Sequence, residues 1–134
     1  MKKLILVTMA VVMLLLTACT TGTTAETELQ TPAWQEIDAT TARNMMNELD
    51  DFILLDVRRA DEFEEERIEG AILIPYDEIG ERYSELGSKN TVILIYCRSG
   101  RRSKYAAEEL AELGFINIYE FGGILYWPYE TISG

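Results

Sequence analysis

Apolar residues gather in short runs between residues 33 and 134, and these runs alternate with amphipathic segments. Residues 52–57 and 91–96 are nearly continuous apolar runs, and the second is rich in β-branched side chains. Such runs predict strands that are buried on both faces. Three shorter strands are predicted at 34–37, at 71–74 and at 115–119.

Helical spacing predicts helices between these strands. Asp38 is a candidate N-cap for a helix through residue 49, and Gly87 marks the end of another helix. The helices are predicted at 38–49, at 61–67, at 77–86 and from the loop after Cys97 to Leu113.

The last of these helices has the clearest amphipathic pattern. Ala106, Leu110 and Leu113 would face the core, and Gly114 would follow as the C-cap. The outward face would carry Glu108, Glu109 and Glu112. Strands that alternate with helices predict an α/β fold, with an open and mainly parallel sheet of about five short strands flanked by helices.

The N-terminal segment reads as a targeting signal. After Met1-Lys2-Lys3, residues 4–16 form a thirteen-residue run broken only by Thr8, which is short for a membrane helix and typical of a signal-peptide core. The following Leu16-Thr17-Ala18-Cys19 resembles the bacterial lipoprotein lipobox, in which cleavage precedes a lipidated cysteine. The alternative is an ordinary signal peptide, cut after Ala18 or slightly later, with Cys19 incidental.

Three regions follow from this interpretation. Residues 1–18 are a lipoprotein signal peptide, residues 19–32 are the lipidated Cys19 with a threonine-rich tether, and residues 33–134 are the folded domain. We therefore expect an extracytoplasmic lipoprotein anchored to a membrane, in the periplasm or on the outer cell surface. Cys97 would then be its only free thiol, so no internal disulfide is expected.

Composition removes several classes of function. The 134 residues include no histidine, so a Cys-His couple, a histidine base and a histidine-bound metal are excluded. Two cysteines cannot form a four-cysteine metal site, and we expect neither a metal nor a cofactor. A formal charge of −11 argues against nucleic acid as a partner.

The segment after the strand at 91–96 contains the candidate reactive cysteine and a cluster of cations. Cys97 follows a strand and precedes a helix, where loop amides and the helix dipole favour a thiolate. Arg98, Arg101, Arg102 and Lys104 lie within seven residues of an otherwise acidic chain. This pattern predicts an anion pocket above a reactive cysteine. The alternative is a buried structural cysteine, with arginines that cap carbonyls or pair with glutamates.

Several motifs together resemble a single-domain rhodanese, or thiosulfate sulfurtransferase. Residues 56–58 match the family's Asp-Val-Arg, and residues 97–103 match its active-site loop C-R-S-G-x-R-S. Residues 68–75 resemble its "H-I-x-G-A … I-P" segment, and the segments 113–115 and 122–127 resemble its closing part. One departure is clear: Arg67 replaces the usual histidine and Glu66 the usual glycine, which we expect to affect local packing more than catalysis.

The resemblance implies a double displacement through a persulfide on Cys97, without a general base. The substrate would be a small sulfur anion such as thiosulfate. The acceptor would be cyanide, a thiol or a sulfur-accepting protein. The enzyme would be a monomer. Arg58 would either reach the pocket rim or pair structurally with a carboxylate. The residues expected to hold the substrate are Arg98, Ser99, Gly100, Arg101, Arg102, Ser103 and Arg58.

Two alternatives stay open at this point. One is a persulfide or sulfur-anion binding module that delivers sulfur to a partner protein. The other is a Cys-dependent phosphatase or arsenate reductase, whose loops resemble C-x₅-R. Here Arg102 stands five positions after Cys97 and Ser103 stands sixth, so the loop is one residue tighter and favours sulfur over phosphate.

Overall fold

A computed structural model describes residues 33–134 and shows a five-stranded sheet with helices on both faces. The strand order is β1-β5-β4-β2-β3, and all four pairings are parallel. The predicted open α/β fold is therefore confirmed. The strands are β1 (Gln35–Glu36), β2 (Ile53–Asp56), β3 (Ile72–Leu73), β4 (Val92–Cys97) and β5 (Asn117–Gly123).

The helices differ from their predicted lengths mainly in one place. Asp38 caps the first helix as expected, since its Oδ1 accepts the Thr41 N–H at 2.7 Å. The predicted helix at 77–86 is instead one short α-helix between two 3₁₀ turns. Gly80 lowers the helix propensity of this segment, and Ile79 and Leu86 are both buried in the same apolar cluster. The helices are α1 (Ala39–Glu48), α2 (Ala60–Glu65), α3 (Ile79–Arg82) and α4 (Arg101–Glu112).

The central strand β4 separates two apolar clusters. Ile93 and Ile95 point into the cluster that contains Ala106 and Leu110 of α4. Leu94 and Tyr96 point into the other cluster, which contains Ala42 of α1. Because both faces of β4 are buried, its continuous apolar sequence is explained by position rather than by alternation.

The last strand extends further than its sequence predicts. The sequence predicts a strand over residues 115–119, whereas β5 covers Asn117–Gly123. Its second half includes Glu120 and two glycines, which break the apolar pattern. Pairing with both β1 and β4 supplies the hydrogen bonds that hold this polar half in the sheet.

Arg67, which departs from the family pattern, is held by the local structure. Its backbone exchanges two hydrogen bonds of 2.8 Å with Ile132, and its side chain donates to the Phe63 carbonyl at 3.2 Å and stacks over that ring. It therefore joins the end of α2 to the C-terminal segment. No helix within residues 33–134 is long and apolar enough to cross a membrane, and the predicted signal peptide and tether lie outside these residues.

Candidate active site

Cys97 is the last residue of β4 and lies at the carboxyl edge of the sheet. The strand has neighbours on both sides, and its register against β5 shifts between Ile95 and Cys97, where Cys97 comes opposite Gly123. The side chain is only 1 % exposed. Burial holds the sulfur in one place at the floor of the loop that follows.

Two groups contact the sulfur as hydrogen-bond partners. The Gly100 N–H donates to Sγ at 3.1 Å, and the Ser103 Oγ lies 3.4 Å from Sγ. Gly100 has φ +101°, a conformation that glycine adopts without strain, and this turn aims its amide at the sulfur just before α4 begins. The sequence predicts that several loop amides face the thiolate. Among the described residues, the Gly100 N–H is the amide that donates a hydrogen bond to Sγ.

Glu120 is a residue of the site that the motifs did not indicate. Its Oε1 accepts from Ser103 Oγ at 2.6 Å and from the Gly122 N–H at 2.8 Å. The side chain is fully buried, and its Oε2 has no hydrogen-bond partner among the described residues. Burial raises the pKa of this carboxyl. Its sequence signal is an acidic residue between Tyr119 and Phe121 in an apolar segment.

Of the four cations that follow the cysteine, two bind a carboxylate and two are exposed. Arg102 binds both oxygens of Glu62, and Lys104 binds Glu36 at 2.9 Å. Arg98 and Arg101 are exposed and make no ion pair within residues 33–134. The positive charge available to an exposed anion at the loop therefore comes chiefly from Arg98 and Arg101.

Gly123 fixes the position of the loop backbone. A Cβ at this position would overlap the carbonyl of Arg98, so only glycine permits this approach. The same carbonyl accepts the Leu125 N–H at 3.2 Å. The exposed Ser99 follows at the tip of the loop, and the loop thereby rests on the end of β5.

Arg58 is buried and forms an ion pair with Asp56. It is 3 % exposed, and its Nη2 lies 2.7 Å from Asp56 Oδ2 and 2.6 Å from the Glu66 carbonyl. Its Nε also binds the Asp56 carboxylate. These contacts form a buried pair that connects β2 with the end of α2. They correspond to the structural alternative for Arg58, and its assignment to substrate binding stays a prediction.

The site offers one thiol, one amide donor, one serine hydroxyl and a buried carboxyl. No group of three or more Cys, Asp or Glu side chains that could hold a metal ion occurs in the described part of the chain. The fixed sulfur is a potential nucleophile, and the amide at 3.1 Å is placed to stabilise negative charge on it.

Comparison with known proteins gives consistent matches. Residues 38–128 match the family model described as "Rhodanese-like domain". "Thiosulfate sulfurtransferase PspE" of Escherichia coli is 37% identical over 71 residues, which are 52% of this chain and 68% of that protein. "Putative sulfur carrier protein YrkF" of Bacillus subtilis is 40% identical over 81 residues, 58% of this chain and 42% of that protein.

A solved structure agrees with these matches. The structure "rhodanese with anions from E. coli" superposes with a TM-score of 0.57 at 32% identity, and covers 61% of this chain and 98% of that one. The family match spans more than half of the chain, including the cysteine loop and Glu120. The chain belongs to the rhodanese-like domain family.

Proposed function

We propose that this protein is an enzyme that transfers a sulfane sulfur from thiosulfate, or a similar donor, to a thiophilic acceptor through a persulfide on Cys97. The observation that carries the proposal is the position of Sγ at the end of the central strand, 3.1 Å from the Gly100 amide. Arg98 and Arg101, both exposed, follow Cys97 within four residues. The name of the E. coli relative, a thiosulfate sulfurtransferase, supports the same reaction.

In the first half-reaction the Cys97 thiolate attacks the outer sulfur of thiosulfate. A new S–S bond forms to Cys97, the S–S bond of thiosulfate breaks, and sulfite leaves with the bonding electron pair. The Gly100 amide stabilises negative charge at the cysteine sulfur, and Arg98 and Arg101 attract the dianionic donor. No proton has to move when the nucleophile begins as the thiolate.

In the second half-reaction the acceptor attacks the outer sulfur of the persulfide. With cyanide, a carbon–sulfur bond forms, the persulfide S–S bond breaks, and thiocyanate leaves while Cys97 returns as the thiolate. The same amide that stabilised the nucleophile now stabilises the leaving thiolate. One donor therefore serves both half-reactions, which suits a site without histidine.

Intact mass after exposure to thiosulfate tests the proposal. The full chain carrying Cys19→Ser has Cys97 as its only thiol, and Cys97→Ser in that background is the control. We expect a gain of one sulfur atom on the parent only, with discharge by cyanide and release of thiocyanate. No adduct with any sulfane donor, on a thiol that still reacts with iodoacetamide, would contradict the proposal.

A sulfur-carrier function is the second candidate. Leu125, whose N–H binds the Arg98 carbonyl, is 58% exposed, and the adjacent Tyr126 is 71% exposed. Apolar side chains next to the loop are suited to contact with a protein acceptor, and the B. subtilis relative is named a putative sulfur carrier. A persulfide that small acceptors leave intact, and that only a protein acceptor discharges, would favour this function over turnover.

We also propose that Cys19 anchors the domain to a membrane outside the cytoplasm. The support is the apolar run at 4–16 followed by Leu16-Thr17-Ala18-Cys19. Incorporation of labelled fatty acid into the expressed chain, lost on Cys19→Ser, is the expected result. A secreted, unlipidated product cut after Ala18 would instead show an ordinary signal peptide.

A further inference from the structure

The Ser103 hydroxyl has one proton and several acceptors around it. Glu120 Oε1 lies 2.6 Å from its oxygen, the Gly100 and Gly122 carbonyls lie at 3.0 and 3.3 Å, and Cys97 Sγ lies at 3.4 Å. A serine hydroxyl donates once and can accept through its lone pairs. The direction of its single donation therefore determines what the sulfur receives.

The buried position of the Glu120 carboxyl lowers the stability of the folded protein. Its Oε2 is buried without a hydrogen-bond partner, and a buried carboxylate with an unsatisfied oxygen costs stability. An apolar residue would fill the same interior position without that cost. The 2.6 Å contact to Ser103 Oγ connects the carboxyl to the nucleophile through a single hydroxyl group.

We propose that Glu120 is a positioning residue for Cys97 and acts through the Ser103 hydroxyl. When the carboxyl is ionised, Ser103 donates to Glu120 Oε1 and offers the sulfur only a lone pair, which favours the thiol. When the carboxyl carries a proton, it donates to Ser103 Oγ, and Ser103 donates to the Sγ thiolate. The inference deepens the proposed function, since the thiolate is the sulfur carrier.

The proton balance of this exchange is complete within three residues. The S–H bond of Cys97 breaks as its proton passes to Ser103 Oγ, and the serine proton passes to Glu120 Oε1, where a carboxyl O–H forms. The electron pair of the S–H bond stays on the sulfur. The net charge of the three residues is unchanged, and no water or external base is needed.

The charged groups around the three residues leave this coupling in place. Glu120 is influenced by Lys104 of α4 and by Glu36 of β1, which bind each other at 2.9 Å. The cation that interacts with the Cys97 side is Arg102, which is paired with Glu62. Lys104, Glu36 and Arg102 are thus each paired, whereas Arg98 and Arg101 are exposed and make no ion pair within residues 33–134. The Glu120 carboxyl has Ser103 and the Gly122 amide as its partners.

The pH dependence of Cys97 alkylation tests the proposal. Rates with iodoacetamide are measured on the full chain in the Cys19→Ser background, as parent, Glu120→Gln, Ser103→Ala and the control Glu108→Gln. Glu108 is exposed on α4, so its change removes the same charge away from the sulfur. Because two coupled groups lose their protons in two macroscopic steps that belong to the pair, we expect two steps in the alkylation profile of the parent and of the control. A single step is expected in Glu120→Gln and a narrower separation in Ser103→Ala.

A second measurement does not depend on the folding of Glu120→Gln. Carbon-13 NMR follows the Glu120 carboxyl directly in the parent and in Cys97→Ala. Coupling predicts that removal of the thiol shifts this titration by about one pH unit. An unchanged carboxyl titration, or a single alkylation step in the parent that superposes on Glu120→Gln, would overturn the proposal.

The same samples separate this inference from the proposed function. Persulfide formation on the parent together with a single alkylation step would reject the role of Glu120 and leave sulfur transfer intact. Two alkylation steps without any persulfide would reject sulfur transfer and leave the coupling of Glu120 to the thiol. Both results together would establish the positioning role in a sulfur-carrying site.

Discussion

Arg102 and Glu62, forty positions apart in the chain, form a two-point ion pair: Nη1 lies 2.7 Å from Oε2 and Nη2 lies 2.8 Å from Oε1. The pair connects α4, which follows the cysteine loop, to α2. It also lowers the pKa of Glu62 to about 2, chiefly through the hydrogen bond from Arg102. Arg102, one of the arginines that the loop motif predicts to hold the substrate, is therefore already bound to a carboxylate.

Substitution Glu62→Gln should release Arg102 toward the loop. We expect the KM for thiosulfate to fall about threefold with little change in kcat, because one partly exposed charge acts weakly through water. Steady-state kinetics at two salt concentrations measures this. Glu85→Gln removes the same charge from the surface pair with Arg82 and should leave KM unchanged; an equal fall in both variants would show a general charge effect.

The Glu62–Arg102 pair should also stabilise the fold, and this contribution should be lost in acid. Because folding lowers the pKa of Glu62 from 4.5 to about 2, its contribution is full above pH 4.5 and is lost as the pH falls through 2. We expect about 1 kcal/mol after solvent screening. Urea unfolding from pH 6 to 2 should show a shallower loss in Glu62→Gln than in the parent, while Glu108→Gln follows the parent.

Removal of Arg58 should cost stability, with little loss of substrate affinity in the protein that stays folded. Arg58→Met leaves Asp56 buried without its partner, and such a change costs about 3 kcal/mol or more. Arg59→Met, which removes a neighbouring but exposed cation, should cost little. Thermal unfolding and thiosulfate KM are measured on both. A large rise in KM at unchanged stability in Arg58→Met would instead place Arg58 at the pocket rim.

Gly123→Ala should displace the cysteine loop. The added methyl group would overlap the Arg98 carbonyl, and relief of a backbone overlap in a packed site costs about 3 kcal/mol. Gly70 is the matched control, since it has φ +85° but open space around its Cβ position, so Gly70→Ala should cost about 1 kcal/mol. Equal losses in the two variants, with persulfide formation intact, would contradict the role of Gly123.

Glu120 should make the protein less stable as the pH rises above 4.5. Burial raises the pKa of this carboxyl in the folded state above 4.5, so between 4.5 and that higher value the folded chain holds a proton that the unfolded chain has lost. The free energy of unfolding therefore falls as the pH rises through this window. Chemical denaturation of the parent should show this fall, and Glu120→Gln should lack it. If the free energy of unfolding depended on pH in the same way in both proteins, the pKa of Glu120 would not be raised by folding.

The sequence determined the local structure because its signals are local. Apolar runs indicated β2 and β4, and Asp38 indicated the start of α1. Gly114 indicated the end of α4, where it has φ +93°. The position of Cys97 between a strand and a helix was likewise readable, since both elements have their own periodicity. A parallel sheet then had to bring that cysteine to its carboxyl edge.

Tertiary structure alone decided which charged groups near Cys97 are paired with one another. Glu62 and Arg102 are forty positions apart, and no periodicity relates Glu120 to Ser103; each pair meets only when α4 packs against its neighbours. The partners of a charged side chain depend on distances between elements that local patterns do not encode. For that reason the sequence predicted a site at Cys97 and its loop. Only the fold paired Arg102 with Glu62, left Arg98 and Arg101 exposed, and placed the buried Glu120 carboxyl next to Ser103.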